Sequence, residues 1–453
     1  MKTKGFFGFV IAALLLVMLS ASCFAAAELI VEQKTSLDRS EFTKSTELRN
    51  PGITFTTSGD IIIGFTTASG GRTGSGLFAE KLDSSLAKIG SAKRLVDEAL
   101  PKGDVAAITN PRSGDILLVW HEGKTAQRIK GDLLSDSLEV KESYDNFLQS
   151  PHLQVEPSLA VSDFGYVGIA WTDWMQRSNG PDSYDVYVKA YDSRMKIIEH
   201  SRGTATDDRK QTKPSAAFLS SSNLSVVYQV ENTPVSYGSD IIMKVYDVVK
   251  NYTFEDVPVE ISLGNQYNPK AAAIGNNTIF IVWEDEKDNN YNIYGKIMAQ
   301  DHQLSDKFGI AVTQYDEKMP VVASLGDYVM VAWIERAEKD IIKAQLYKRN
   351  GQEVGSTITA DNSSTFKNNL VATAYDSNFL LAFEDYNNLK RDISLVKINL
   401  KRDKPLYVLE GSTANQTIAE ENLTEKLDNI QQQKEKQSFF GIVWGFLKSL
   451  FSR

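Results

Sequence analysis

Seven short apolar runs punctuate the chain, and each closes on an aromatic residue: DIIIGF at Phe65, DILLVW at Trp120, YVGIAW at Trp171, LSVVY at Tyr228, TIFIVW at Trp283, YVMVAW at Trp333 and NFLLAF at Phe383. Apolar on both faces, each run reads as a strand covered on both sides. The anchors stand 50 to 57 residues apart, a regularity that predicts one supersecondary unit copied around an axis. Their neighbours repeat as well. A shorter strand precedes the anchor, opened in most copies by a proline (Pro51, Pro157, Pro214, Pro269, Pro320), which suits the first residue of an edge strand. A polar hairpin follows, then a half-exposed alternating strand such as VYVKAYD from Val186, then a weaker fourth strand such as KRLVDE from Lys93. Four antiparallel strands per unit, with no helical pattern between units, predict an all-β fold: a seven-bladed β-propeller of four-stranded antiparallel blades. LIVEQ from Leu29 and KPLYVLEG from Lys404 are rivals for the strand that closes the ring.

Both ends depart from the repeat. Lys2 and Lys4, an apolar run from Phe6 to Leu19 and Ala25-Ala26-Ala27 before Glu28 have the layout of a secretory signal peptide. An uncleaved anchor and a lipoprotein acylated at Cys23 are the alternatives. Residues 412–437 form a polar spacer rich in Glu, Gln, Lys and Asn, and 438–453 an apolar amphipathic tail. As a helix the apolar stretch reaches about 20 Å, short of a hydrocarbon core of roughly 30 Å. It suits a helix lying in the membrane interface, held by Phe439, Phe440, Ile442, Val443, Trp444, Phe446, Leu447, Leu450 and Phe451. The expected organisation is a signal (1–27), a propeller (28–411), a spacer and a tail, on an exported protein associated with a membrane.

A net charge of −9 over 453 residues argues against nucleic acid as a partner, because phosphate binding needs a basic field. Cys23 is the only cysteine, so no intramolecular disulfide forms and packing alone holds the fold. Four scattered histidines make no transition-metal set. DEKDNN from Asp285 lacks the central glycine and distal glutamate of a calcium loop. No nucleophile elbow, phosphate loop or dinucleotide fingerprint occurs, so no metal and no cofactor is expected.

Two features of the hairpins carry candidate chemistry. An acid follows closely behind six of the seven anchors: Glu122, Asp173, Glu231, Asp285, Glu335 and Asp385. Residues two apart on a strand share a face, so these acids, read as standing two residues past the anchor, are expected as a ring at one end of the disc. They would either bind a cation or basic partner or bond within their own hairpins. The same hairpins carry Trp174, Tyr237, Tyr291 and Tyr386 beside amides and carboxylates. Sugar recognition uses that combination, rings for stacking and polar groups for hydroxyls.

The repeat from Asn268, NPKAAAIGNNTIFIVWEDEKDNNYNIYGK, shows most clearly the order proline, short strand, apolar strand ending in tryptophan, acidic hairpin and IY-x-K strand. In this the chain resembles the sialidase-like propeller superfamily, with BNR-type repeats. The resemblance covers roughly residues 50–411 and implies the fold more than the function. In that superfamily glycoside hydrolysis uses a tyrosine nucleophile, an arginine cluster and Asp-box turns. Here LDSSLAK, LSDSLEV, YDSRMK, YDVVKN, QDHQLSD and YKRNGQ stand where Asp-boxes would. None matches, and no arginine trio is assignable. The sequence therefore leads to the expectation of a non-enzymatic module that binds or displays, with an extracellular carbohydrate, glycoprotein or protein as partner. A sialidase-like enzyme and a structural component of the cell envelope are the alternatives.

Overall fold

The computed structural model describes residues 27–402 except 39, 43–45, 70–75, 97–101, 124–126, 146–151, 176–182, 204–208, 232–237, 255, 276, 288–289 and 388–389. The signal up to residue 26, the spacer, the tail with its nine membrane-facing candidates, and the strand from Lys404 lie outside the described residues.

Seven antiparallel sheets succeed one another along the chain and form the blades of a propeller: 46–96, 102–144, 153–203, 211–260, 265–311, 316–361 and 366–402, here blades 1 to 7. Within blades 1 to 6 the strands pair in chain order, and they are numbered here from the innermost outward. Blade 4 divides its outer position between Tyr252–Thr253 and Val257–Glu260. Blade 7 takes its outer strand from the other end of the chain: Ala27–Ser36 pairs antiparallel with Lys390–Arg402. Of the two rivals for closure, the strand around Leu29 holds that place.

The core lies at the seams. Among the described residues the buried apolar side chains form seven clusters, each filled from two adjacent blades; one joins Leu380 and Ala382 of blade 7 to Ile61 and Phe65 of blade 1. The seven aromatic anchors are buried in these seams, facing the preceding blade. This is why the runs are apolar on both faces: a second strand touches a neighbouring sheet on either side.

The prolines sit differently from the expectation. The inner strands begin several residues earlier, for example Thr46–Phe55 and Leu153–Val161, and each proline stands mid-strand. It is tolerated there because the ladder is interrupted by a bulge at that place in all seven inner strands, and a bulged residue need not donate to its partner.

Candidate functional site

At each bulge one residue adopts a left-handed backbone: Asn50 (φ 52°), Asp104 (46°), Glu156 (57°), Lys213 (55°), Asn268 (49°), Met319 (53°) and Asn369 (47°). That conformation costs an L-residue roughly 1–2 kcal/mol, and its sevenfold recurrence shows that the blades hold it in place. All seven residues line one open cavity of about 400 Å³ where the inner strands converge, at the mouth of the central channel.

Two sets of hydrogen bonds support the ring. The first lies within a blade, where the bulge side chain meets the residue just after the anchor. Asn50 Nδ2 donates to Thr66 Oγ1 (2.9 Å), Thr172 Oγ1 to Glu156 (2.8 Å), Asn268 Nδ2 to Glu284 (2.8 Å) and Asn369 Nδ2 to Glu384 (2.6 Å). Asp104 pairs with His121 Nδ1 at 2.9 Å. The second set crosses between blades, where the bulge N–H donates to a carboxylate of the preceding blade. Asn50 N reaches Glu384 (2.8 Å), Glu156 N reaches Asp104 (3.2 Å), Lys213 N reaches Glu156 (2.9 Å) and Met319 N reaches Glu284 (2.8 Å). An N–H freed by the bulge thus finds an acceptor, as a buried donor must.

The electrostatics of the mouth are mixed. Lys213 Nζ lies 2.5 Å from Glu156 Oε1; burial lowers its pKa, but the Glu156 charge and hydrogen bond, together with the Asp104 and Glu284 charges, hold it above the ordinary lysine value. For Asp104 burial works upward, yet the His121 hydrogen bond and charge, with Lys213, keep the carboxyl below its usual range. Glu284, almost wholly buried, is raised by burial against the hydrogen bonds from Met319 and Asn268. Lys270, which also lines the cavity, is lowered by burial and then by the Lys213 charge.

The acids singled out from the sequence lie elsewhere. Glu122, Asp173, Asp285, Glu335 and Asp385 are buried on the anchor's face, where they pair with Lys130 (2.9 Å), His152 (2.6 Å), Lys307 (3.0 Å), Lys343 (2.6 Å) and Ser394 (3.1 Å) respectively. Glu231 stands three residues past Tyr228, with Val230 in the inward position, and is 3.7 Å from Lys210. None of the six lines the cavity.

Of the hairpin aromatics, Tyr237 lies outside the described residues. Trp174 stacks on Tyr184 across its hairpin (5.3 Å, 8°), and Arg391 covers Tyr386 at 4.6 Å. Tyr291 comes nearest to the channel residues. It stacks against Tyr267, which directly precedes Asn268 (6.3 Å, 30°), and Lys318, beside Met319, stands 3.3 Å from its ring centre. Burial and then the hydrogen bond to Glu286 push its hydroxyl up to about 12. Among the described residues no three or more His, Cys, Asp or Glu side chains form a group fit to hold a metal ion.

No family model matches the sequence, and no curated protein is similar to it at the sequence level. Solved structures are similar in fold. The polysaccharide lyase Uly1 superposes with a TM-score of 0.51 at 8% identity, over 82% of this chain and 100% of that one. A protein of unknown function from Dyadobacter fermentans DSM 18053 gives 0.48 at 8%, over 82% and 99%. The NanB sialidase from Streptococcus pneumoniae gives 0.44 at 10%, over 82% and 70%. The class is thus a seven-bladed β-propeller, the fold expected from the repeat. The expectation of a non-enzymatic protein is corrected by the first of these: an enzyme is built on this same fold over its entire length, so the missing Asp-box turns are no ground for excluding catalysis.

Proposed function

We propose that the protein is carbohydrate-active and takes a saccharide at the mouth of its channel. The observation that carries this reading is the convergence of seven bulge residues, six of them polar, on one open cavity of about 400 Å³. Its size suits a bound sugar unit or two. Amides, carboxylates and an ammonium on strained but tightly bonded backbone offer fixed partners for hydroxyl groups. The fold-level likeness to a polysaccharide lyase supports a reaction on a polysaccharide, and export with a membrane-associated tail suits a substrate outside the cell.

The test is to incubate the full chain with a panel of neutral and acidic polysaccharides while following reducing ends, unsaturated products and calorimetric binding. Cleavage or binding of at least one, lost on replacing Glu156 or Asn268 by Ala, is the expected result. A folded protein that neither binds nor cleaves any of them would overturn the reading. A protein partner on the same rim is the second reading, favoured by the exposure of Leu263 (81%), just before one inner strand, and of Phe366 (73%), which opens another.

A further inference from the structure

Two residues past each bulge the inner strands share a second position, set by register: Gly52 opposite Gly64, Ala106 opposite Val119, Ser158 opposite Ala170, Ser215 opposite Val227, Val321 opposite Ala332 and Val371 opposite Ala382. These residues are small or apolar. A Cβ on Gly52 would stand 2.7 Å from the Val105 carbonyl oxygen of the next blade, and the Ser158 and Ser215 hydroxyls each accept an N–H from the next blade (3.0 Å). In blade 5 the position, opposite Val282, holds Lys270. A feature repeated in every blade serves the ring; one that breaks the repeat at the channel mouth asks for another purpose.

The charges around Lys270 sharpen the point. Glu156 is engaged by Lys213 and Thr172, Asp104 by His121, and Glu284 by Asn268 and the Met319 N–H. Among the described residues no group forms a hydrogen bond or ion pair with the Lys270 ammonium. Glu156, Asp104 and Glu284 act on it only at longer range, against burial and the neighbouring Lys213 charge. A half-buried cation left without a partner is unfavourable until an anion meets it. The space where an anion would stand is the open cavity that Lys270 and Lys213 both line.

We infer that Lys270, with Lys213 beside it, forms an anion subsite in the channel mouth that receives the carboxylate or sulfate group of an acidic saccharide. The inference rests on the saccharide reading above and narrows it to acidic chains. An ammonium is a compact charge with three donors and no acceptor, so it separates an acidic sugar from its neutral counterpart.

The experiment uses the full chain, calorimetry and four probes: an oligogalacturonate, its neutral methyl ester, a sulfated oligosaccharide and inorganic sulfate. The wild type is expected to bind one acidic oligosaccharide at least tenfold more tightly than the ester, and which acid it prefers tells carboxylate from sulfate. Lys270→Ser, the residue of blades 3 and 4, is expected to bring the acid down to the level of the ester, while Lys270→Arg keeps most of the preference. In the wild type the bound acid also shields the Lys270 amine from acylation, read by peptide mass spectrometry, a measurement that needs no variant to fold. Equal affinity for acid and ester, an unchanged Lys270→Ser, or unshielded acylation overturns the subsite and leaves the saccharide reading standing. Sulfate bound through Lys270 with no saccharide bound leaves the anion site and removes the saccharide. No binding of any probe removes both.

Discussion

Glu384 of blade 7 accepts the backbone N–H of Asn50 of blade 1 at 2.8 Å, which ties the seam where the ring closes by a bond outside any strand ladder. The same oxygen takes Asn369 Nδ2 (2.6 Å), and the other faces Arg391 (3.3 Å). Glu384→Ala leaves the half-buried Asn50 N–H without its acceptor and Arg391 with only the more distant Glu47 (4.0 Å), a loss of about 2–4 kcal/mol. Glu384→Gln retains one oxygen for the N–H and loses about 1 kcal/mol. Urea denaturation of both variants checks the order. Equal losses would show that charge rather than acceptance matters at this seam.

The ring is closed a second time within blade 7, by the N-terminal strand. Ala27 and Leu29 are buried in the cluster shared with blade 6, while the outer residues are largely exposed. Deleting residues 27–36 bares the edge of Lys390–Arg402, and an unpaired edge templates association. The truncated protein is expected to melt earlier and to elute as oligomers in size-exclusion chromatography. A monomer of unchanged melting temperature would refute the closure role.

The fold was legible because a blade is covered on both faces: the second strand must be apolar throughout, and seven such runs are visible against polar hairpins. The bulges were not. A left-handed residue in mid-strand has no hydropathy signature, and Asn, Asp, Glu, Lys and Met all occupy it here, so only the recurring proline hinted at the interruption. The repeated acids drew attention because repetition is easy to see, yet Glu122, Asp285 and Glu335 repeat because each neutralises a lysine on its own blade. The residues behind the cavity lie one position closer to the anchor, where Thr66, His121, Thr172, Glu284 and Glu384 vary from blade to blade. Variation within a strict frame, as at Lys270, marks the candidate site.

A further repeat, Q-x-x-P, has a physical role of its own. Gln154 and Gln211 are buried and accept the N–H of Ile129 and Val186 in the preceding blades. Blade 6 puts Glu317 at this position, accepting from Thr313 Oγ1 (2.7 Å). Burial first, then the Glu335 charge, raise its carboxyl to about 7, against the Thr313 and Trp333 hydrogen bonds and Lys343. A carboxyl raised in the folded state is fully stabilising below its unfolded value, and that stability is lost as pH rises from about 4.5 to about 7. Glu317→Gln, which resembles the protonated acid, is therefore expected to stabilise the fold above pH 7 by about 1–3 kcal/mol. The gain fades below pH 5. Denaturation at pH 4.5 and pH 8 checks it, and a gain of equal size at both would show that the titration is not its source.

Outside the propeller, the apolar tail is proposed to hold the protein at a membrane. Deleting residues 438–453 is expected to move the protein from the membrane fraction to the soluble one, with the signal shown to be cleaved. A truncated chain that still sediments with membranes would place the anchor elsewhere.

Lys270 joins function to stability. Because its folded pKa lies below the ordinary lysine value, the ammonium destabilises the fold at every pH below that depressed value. The penalty is relieved as pH rises from there towards the ordinary value of about 10.5, over which the unfolded chain alone holds the proton. Lys270→Ser is thus expected to raise the melting temperature at pH 7, by about 2 °C for each kcal/mol relieved, and to lose this advantage in strongly alkaline buffer. An acidic oligosaccharide at one fixed concentration should stabilise the wild type by more than the variant, since only the wild type gains a counter-charge on binding. Thermal denaturation with and without ligand tests both halves. A variant less stable than the wild type at pH 7 would mean that Lys270 is compensated within the protein, and that the break in the repeat serves the ring after all.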